Sequence, residues 1–400
     1  MSGNISLATL LFPESVERFL KTVWARGPLV VRADRQDRFK GLFDIAEFEF
    51  LAGTVAAPGW LSFVKDAVQV PSREQLTGDG TLNSAALYKS VAEGKSLLLT
   101  RVHRLHAATG ALCRQVTADF RTAGVVLRKP VRANAYFTPP SAKGFDAHYD
   151  DHDVLVMQLA GSKRWRIFGE AVRWPRKPML QPLPAEFLGA KAQEVTLQTG
   201  DVLYLPRGFA HEAEAVNESS LHLTLSIQAA TWSDLFERLI DLHDHLGEPL
   251  PIGFGAGGIA QPADRVRAEE LGSGLMRSPG LDRAIQDVFD SSFVEGDLPS
   301  SGLLARLGDR AGIAPDTSLV AVDGLSARIE QQGDVVVLRL PGAALRADRG
   351  AIPLFQRVCG GKPFRLTELG NAGEALALVD LAQELVKRGI LIAIPDVARR

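Results

Sequence analysis

The chain has 400 residues, 46% hydrophobic and 23% charged, an ordinary globular composition with room for two or three domains. Its formal net charge of −2 gives no electrostatic case for nucleic-acid binding by the chain as a whole. Two cysteines far apart in sequence, Cys113 and Cys359, exclude a disulfide framework and a Cys-rich zinc module.

Both thiols read as buried and free, in a reducing cytosol. No apolar run approaches the ~18–20 residues that span a bilayer. The segment Met1 to Phe12 lacks the basic start of a secretory signal. The expectation is a soluble cytoplasmic protein.

Residues 1 to about 125 mix helix and strand signals. Phe19, Leu20, Val23 and Trp24 recur at helical spacing after Pro13 and Glu14, and Leu29-Val30-Val31 is a short apolar strand. Leu112, Val116 and Phe120 mark one face of an amphipathic helix. From about 125 to 228 the texture becomes short β-prone runs divided by Pro and Gly turns. These are 125–127, 134–137, 154–157, 164–167, 202–205 and 221–225, a pattern that predicts a sandwich or barrel. His222, Thr224 and Ser226 alternate with Leu221, Leu223 and Leu225. The polar face of that strand suits the inside of a ligand-holding barrel.

Helical signals return at Trp232. Leu235, Phe236, Leu239 and Ile240 form one apolar face, and Leu281, Ile285, Val288 and Phe289 another, with a Gly-rich hinge at Gly253 to Gly258 between them. This segment is thin for a core of its own and suggests a homodimer. After Pro315 come a strand at Val335 to Leu338, short helices starting near Ile352, Phe364 and Leu376, a helix-ending Gly389 and a terminal strand at 390–394. That order resembles a winged helix. Its basic residues Arg346, Arg349, Arg357, Lys362 and Arg365 are countered by Glu368, Glu374, Asp380 and Glu384, so DNA binding is not expected.

The chemistry-bearing residues fall in two pieces. His148 and Asp150 are spaced so that one strand would point both to the same face. His211 ends the run Gly200-Asp201-Val202-Leu203-Tyr204-Leu205-Pro206-Arg207-Gly208-Phe209-Ala210-His211, where Pro206 and Gly208 bend the returning strand and aim the imidazole inward. Two imidazoles and one carboxylate make the facial triad of non-haem Fe(II) oxygenases, with coordination positions left open. Asp151 and His152 lie nearby. Asp151 points away on strand parity, and His152 is read as an outer-shell or solvent-facing residue.

The ordered set of Asn134 to Pro140, His148 to Asp151, Gln158 to Trp165, Gly200 to His211 and His222 to Ser226 resembles the JmjC-type ribosomal oxygenases. The likeness is strong over roughly 130 to 230 and looser elsewhere. It implies an α+β fold: a double-stranded β-helix (JmjC/cupin barrel) with flanking helices, a helical dimerisation segment and a C-terminal winged-helix-like domain. The corresponding division is 1–230, 231–314 and 315–400. It implies a 2-oxoglutarate-dependent protein hydroxylase using Fe(II) and O2, with an Arg or His of a ribosomal protein as the target. It further implies that His148, Asp150 and His211 hold the metal. Lys163 grips the distal carboxylate of 2-oxoglutarate, Asn134 contacts the co-substrate, and Tyr136 offers its hydroxyl. Ser226 and His222 face the pocket, while Trp165 reads as core. The competing readings are the same chemistry on a small molecule or peptide natural product, and a non-catalytic cupin regulatory module. The loop Phe168 to Pro184, with Arg173, Trp174, Arg176 and Lys177, is a candidate rim of the pocket.

Overall fold

The computed structural model describes residues 5–54, 60–65, 68–71, 83–177, 182–189, 192–247, 250, 262–294, 312–322, 325, 327–340 and 343–394. Its strands in chain order are β1 (Leu29–Val31), β2 (Leu61–Lys65), β3 (Val68–Pro71), β4 (Ser96–Leu99), β5 (Leu127–Thr138), β6 (Asp153–Ala160), β7 (Lys163–Glu170), β8 (Gln193–Leu197), β9 (Val202–Leu205), β10 (Phe209–Ala215), β11 (Ser220–Ala229), β12 (Ser318–Ala321), β13 (Arg328–Gln332), β14 (Val335–Leu340), β15 (Ala343–Asp348) and β16 (Leu391–Ile394). An eight-stranded sheet runs β1-β9-β6-β11-β5-β4-β2-β3, and a three-stranded sheet runs β10-β7-β8. Strands of both sheets line one cavity, so the sheets face each other across it.

Period-two alternation decides what each face of the large sheet meets. On β11, Leu221, Leu223 and Leu225 are fully buried against a helical layer, while His222, Thr224 and Ser226 line the cavity. On β5, Ala133 and Ala135 face the same layer, and Asn134, Tyr136 and Thr138 face the cavity. The helical layer is supplied by the residues before 125. The helix Ala107–Thr122 buries Leu112, Val116 and Phe120, as its spacing predicts, and packs with Phe19, Phe39 and Phe48 in the largest core. Each such side chain removed from water contributes about 1.5–3 kcal/mol. A smaller core of Val154, Val156, Trp165, Ile167, Leu203 and Leu205 fills the space between the sheets.

Several elements differ from the sequence reading. Only Leu127 of the run 125–127 is in a strand, and it belongs with 134–137 to β5, which holds Pro130 in its interior. The ladder with β11 shifts register beside Pro130, where Gln228 pairs with Lys129 and Ser226 with Arg132. A missing N–H is tolerated at such an irregularity. The helix expected at Phe364 is a single turn, Leu366–Glu368, and the one expected from Leu376 is two pieces, Ala372–Ala377 and Val379–Lys387. Cys113 is buried, but Cys359 is exposed. Gly389 has φ +69, the left-handed conformation expected after a helix end. The hinge Gly253 to Gly258 lies outside the described residues, as do Pro178 to Gln181 of the candidate rim loop.

The helices Trp232–Asp241, Pro262–Arg277 and Gly280–Val294 share a small core of Leu235, Leu239 and Ala284. Thr231 and Asp234 form a capping box at the start of the first helix. The residues from 312 onward hold a separate core around Leu319, Val336, Leu338, Phe355, Phe364 and Leu385. It is built from the pair β12–β16, the meander β13-β14-β15 and the helix Ile352–Gly360. No helix among the described residues is long and apolar enough to cross a membrane.

One buried polar network ties the two layers together at the start of β6. Asp153 is fully buried and accepts hydrogen bonds from Tyr204 Oη at 2.7 Å and from Arg207 Nε and Nη2 at 3.0 and 2.9 Å. The Tyr204 oxygen in turn accepts from the Ala25 N–H at 2.9 Å. Asp153→Ala would leave the Arg207 guanidinium, itself only 10% exposed, without its carboxylate. The expected loss is about 3–5 kcal/mol of stability, read from the denaturant midpoint. A loss below about 1 kcal/mol would show that water replaces the carboxylate at little cost.

Candidate metal and co-substrate site

Ligand atoms of His148, Asp150 and His211 lie within 4.8 Å of one another, close enough to share one ion. His211 Nε2 is 3.9 Å from Asp150 Oδ2. Neither carrier is quite the predicted one. His148 and Asp150 are not in a regular strand. They precede β6 in a segment that meets β10 only at isolated bridges, the one at His148 to His211 having N–H···O distances of 3.0 and 2.8 Å in the two directions. His211 is not at the end of the returning strand β9 but inside the following strand, β10, just after a register shift between Ala210 and His211. That irregularity re-aims a side chain, as bulges do.

The turn between β9 and β10 requires glycine. Gly208 has φ +81, and a Cβ there would fall 1.8 Å from the carbonyl oxygen of Val172. Its N–H donates to the Asp150 carbonyl at 2.9 Å, so the turn before His211 also fixes the backbone at Asp150. The Gly200-Asp201 pair is architectural. Asp201 is buried, accepts from the N–H groups of Ala33 and Gln198, and pairs with Arg32 at 2.6 Å.

Both histidines are oriented by backbone. His148 Nδ1 lies 2.7 Å from the Asp146 carbonyl oxygen, and His211 Nδ1 2.9 Å from that of Phe209. A carbonyl only accepts, so each Nδ1 carries the proton and each Nε2 keeps its lone pair for a ligand. Burial, reinforced by His148, pushes the His211 pKa down to about 4, which leaves it neutral at physiological pH. A neutral imidazole pair and one carboxylate fit a borderline divalent metal.

A cavity of about 340 Å³ opens beside the triad. Lys163 projects into it from β7, only 3% exposed, with Nζ 2.9 Å from Thr138 Oγ1. Among the described residues no carboxylate forms an ion pair with it, and burial pushes its pKa down to about 7. A buried cation with donors to spare and no anion is a receptor for one. Asn134 lines the cavity with its Oδ1 accepting from the Arg101 N–H at 2.9 Å and its side chain hydrogen-bonded to Tyr136. Tyr136 stacks on His222 with ring centres 4.8 Å apart and planes parallel within 1°. Burial and the nearby Asp150 raise the Tyr136 pKa, so its hydroxyl stays protonated. Burial, then the Lys163 charge, hold His222 neutral, and its Nδ1 is buried with no hydrogen-bond partner among the described residues. Ser226 lines the same wall.

Three side chains add to the sequence reading. Trp165 is buried as expected, but it also lines the cavity, and its indole N–H has no partner among the described residues. His152 lines the cavity, with Nδ1 2.9 Å from Asp151 Oδ1. Burial opposes its charge, yet Asp151 with Asp150 and Asp153 outweigh that and leave its pKa raised. Thr138 was missed, although strand parity with Asn134 and Tyr136 placed it on the same face. The loop after β7 borders a second, larger groove of about 850 Å³, where Arg173 lies over Trp174 at 4.6 Å.

Comparison with known proteins agrees with this architecture. Residues 113–235 match the JmjC domain family. The chain is 32% identical over 238 residues to ribosomal oxygenase 1 of Gallus gallus, covering 58% of this chain and 38% of that protein. It is 28% identical over 242 residues to the bifunctional lysine-specific demethylase and histidyl-hydroxylase NO66 of Drosophila persimilis, covering 60% and 34%. The chain therefore spans little more than a third of the curated relatives it matches. Among solved structures, the Escherichia coli ribosomal oxygenase YcfD superposes with a TM-score of 0.56 at 20% identity, covering 95% of this chain and 98% of that one. A YcfD complex with cobalt and 2-oxoglutarate gives 0.54 at 21%, covering 94% and 96%. Strands β5 to β11 and the triad thus lie in the part of the chain, residues 113–235, that is similar to the JmjC domain family.

Proposed function

We propose that this chain is an Fe(II)- and 2-oxoglutarate-dependent oxygenase that hydroxylates a side chain of a ribosomal protein. The observation that carries the reading is one cavity holding both a His148–Asp150–His211 cluster and the buried, anion-less ammonium of Lys163. Names of the relatives and the cobalt and 2-oxoglutarate of the YcfD complex support it. His148, Asp150 and His211 would hold the iron. Lys163 and Thr138 would grip the distal carboxylate of the co-substrate, with Asn134, Tyr136, Ser226 and His222 forming the remaining walls. Bound together, iron, 2-oxoglutarate and O2 would supply the oxidant for C–H hydroxylation, the co-substrate leaving as succinate and CO2. The protein's own part is to orient both imidazoles, to neutralise the dicarboxylate and to keep water out.

The cavity also speaks to the target side chain. Among the described residues Asp150 is the one carboxylate that lines it, and the metal would claim it. The polar groups left include the Asn134 amide, the Ser96, Tyr136, Thr224 and Ser226 hydroxyls, His152 and the Trp165 indole, none of them anionic. Burying a guanidinium against them would be costly, whereas an imidazole would find partners. We therefore favour a histidyl target over an arginyl one, in line with the name of the NO66 relatives. Mass spectrometry of ribosomal proteins from cells with and without the gene should find one added oxygen atom on a histidine. An oxygen on arginine would overturn the side-chain choice. No change on any ribosomal protein would favour a small-molecule or peptide substrate.

The proposal includes a cytoplasmic homodimer and the division 1–230, 231–314 and 315–400. Support for the dimer is the half-exposed apolar set Phe236, Ile240, Ile285 and Phe289 on two packed helices.

A further inference from the structure

The segment that carries His148 is braced in an unusual way. Two bridges join it to β10, Lys143 to Glu214 and His148 to His211. They enclose Gly144, Phe145, Asp146 and Ala147 on one side but only Glu212 and Ala213 on the other. The surplus residues bulge out immediately before the first histidine. At the crest sits Asp146, whose carbonyl takes the His148 Nδ1 proton. A bulge is softer than a ladder, and this one sets the direction of a ligand ring.

Lys143 crosses the bulge. Its Nζ lies 2.9 Å from Asp146 Oδ1 and 2.8 Å from Glu212 Oε2. One cation thus joins the crest beside His148 to the residue that follows His211. Glu212 is held from the other side by Arg166 Nη1 at 2.6 Å, and its side chain is only 12% exposed. Burial works against the Lys143 charge, but Glu212 and Asp146 more than offset it and raise its pKa. We infer that Lys143 is a positioning residue for the metal centre, bracing the two histidine-bearing segments at the spacing one ion requires. This rests on the triad reading. A half-exposed ion pair adds little to overall stability. The effect of the brace falls instead on the preorganisation of the site.

The test is Co(II) affinity of the metal-free protein without co-substrate, followed by the absorption bands of the bound ion. Lys143→Met and, independently, Asp146→Asn should each weaken binding by about 5- to 20-fold, somewhat below the roughly 10–100-fold of direct outer-shell contacts. Lys143→Arg should restore most of it, and the double variant should be little worse than either single one. The melting temperature of the metal-free protein should stay near that of the wild type. Dissociation constants within twofold of wild type in both single variants would overturn the inference. So would a loss matched by a fall in the metal-free melting temperature. Absence of Co(II) binding by the wild type would instead refute the triad.

Discussion

Lys163→Met is expected to give a protein that is more stable than the wild type and unable to hold the dicarboxylate. Lys163 is 3% exposed, and the Thr138 hydroxyl is its hydrogen-bond partner. Its pKa falls from 10.5 to about 7 through burial. The unfolded chain keeps the proton up to about pH 10.5, whereas the folded one releases it near 7. The cost of the buried ammonium is therefore present in full below pH 7 and is relieved as pH rises toward 10.5. A shift of this size corresponds to a few kcal/mol, and replacing buried charge by an apolar side chain commonly gains about 1–4 kcal/mol. Thermal unfolding of the metal-free protein should show the full gain at pH 6 and less than half of it at pH 9. The same change removes the cation that would meet the distal carboxylate. The loss in 2-oxoglutarate affinity should be about 2–5 kcal/mol, roughly thirtyfold or more. In the wild type, affinity should weaken as pH rises above 7, because an uncharged amine must first take up a proton. A variant that is less stable at pH 6, or that binds 2-oxoglutarate as tightly as wild type, would contradict this account.

Asp150→Ala should abolish 2-oxoglutarate turnover. The two imidazoles would remain, each tethered through Nδ1 to a carbonyl, but the only anionic ligand would be gone. Two neutral ligands hold a divalent ion far less well than two with a carboxylate. The fall in Co(II) affinity should exceed the roughly 10–100-fold that outer-shell changes cause. Asp150 is partly exposed, so folding should survive and circular dichroism should match the wild type. Succinate production that persists in this variant would remove Asp150 from the metal site.

The fold was readable where periodicity is strong. The alternation on β11 placed Leu221, Leu223 and Leu225 against helices and turned His222, Thr224 and Ser226 toward the cavity, as the structure has it. That His148, Asp150 and His211 would cluster was readable from residue type and order, but not the elements that carry them. The His148 segment lacks a ladder because a bulge interrupts it, and bulges leave no fixed sequence mark. His211 moved to β10 because Pro206 and Gly208 make a full turn where a bend was expected. Trp165 was read as core alone. Its position on β7, the same parity as Lys163, was the signal that it would also see the cavity. Cys359 was misplaced because a lone cysteine carries no pattern from which exposure can be inferred.

The order of the large sheet has a consequence for where the molecule could be cut. The matched JmjC segment begins inside the helix Ala107–Thr122 and leaves out β1 to β4. Yet β1 pairs with β9, and β4 pairs with β5. Excising the segment would strip both flanks of the sheet and expose two rows of unpaired backbone N–H and C=O groups, a template for chain-to-chain pairing. The helical layer that buries Leu221, Leu223 and Leu225 would lose Phe19, Phe39 and Phe48 as well. The residues that carry the chemistry are thus a minority of the unit that must fold, and the first hundred residues act as the selvedge that keeps this cloth from fraying.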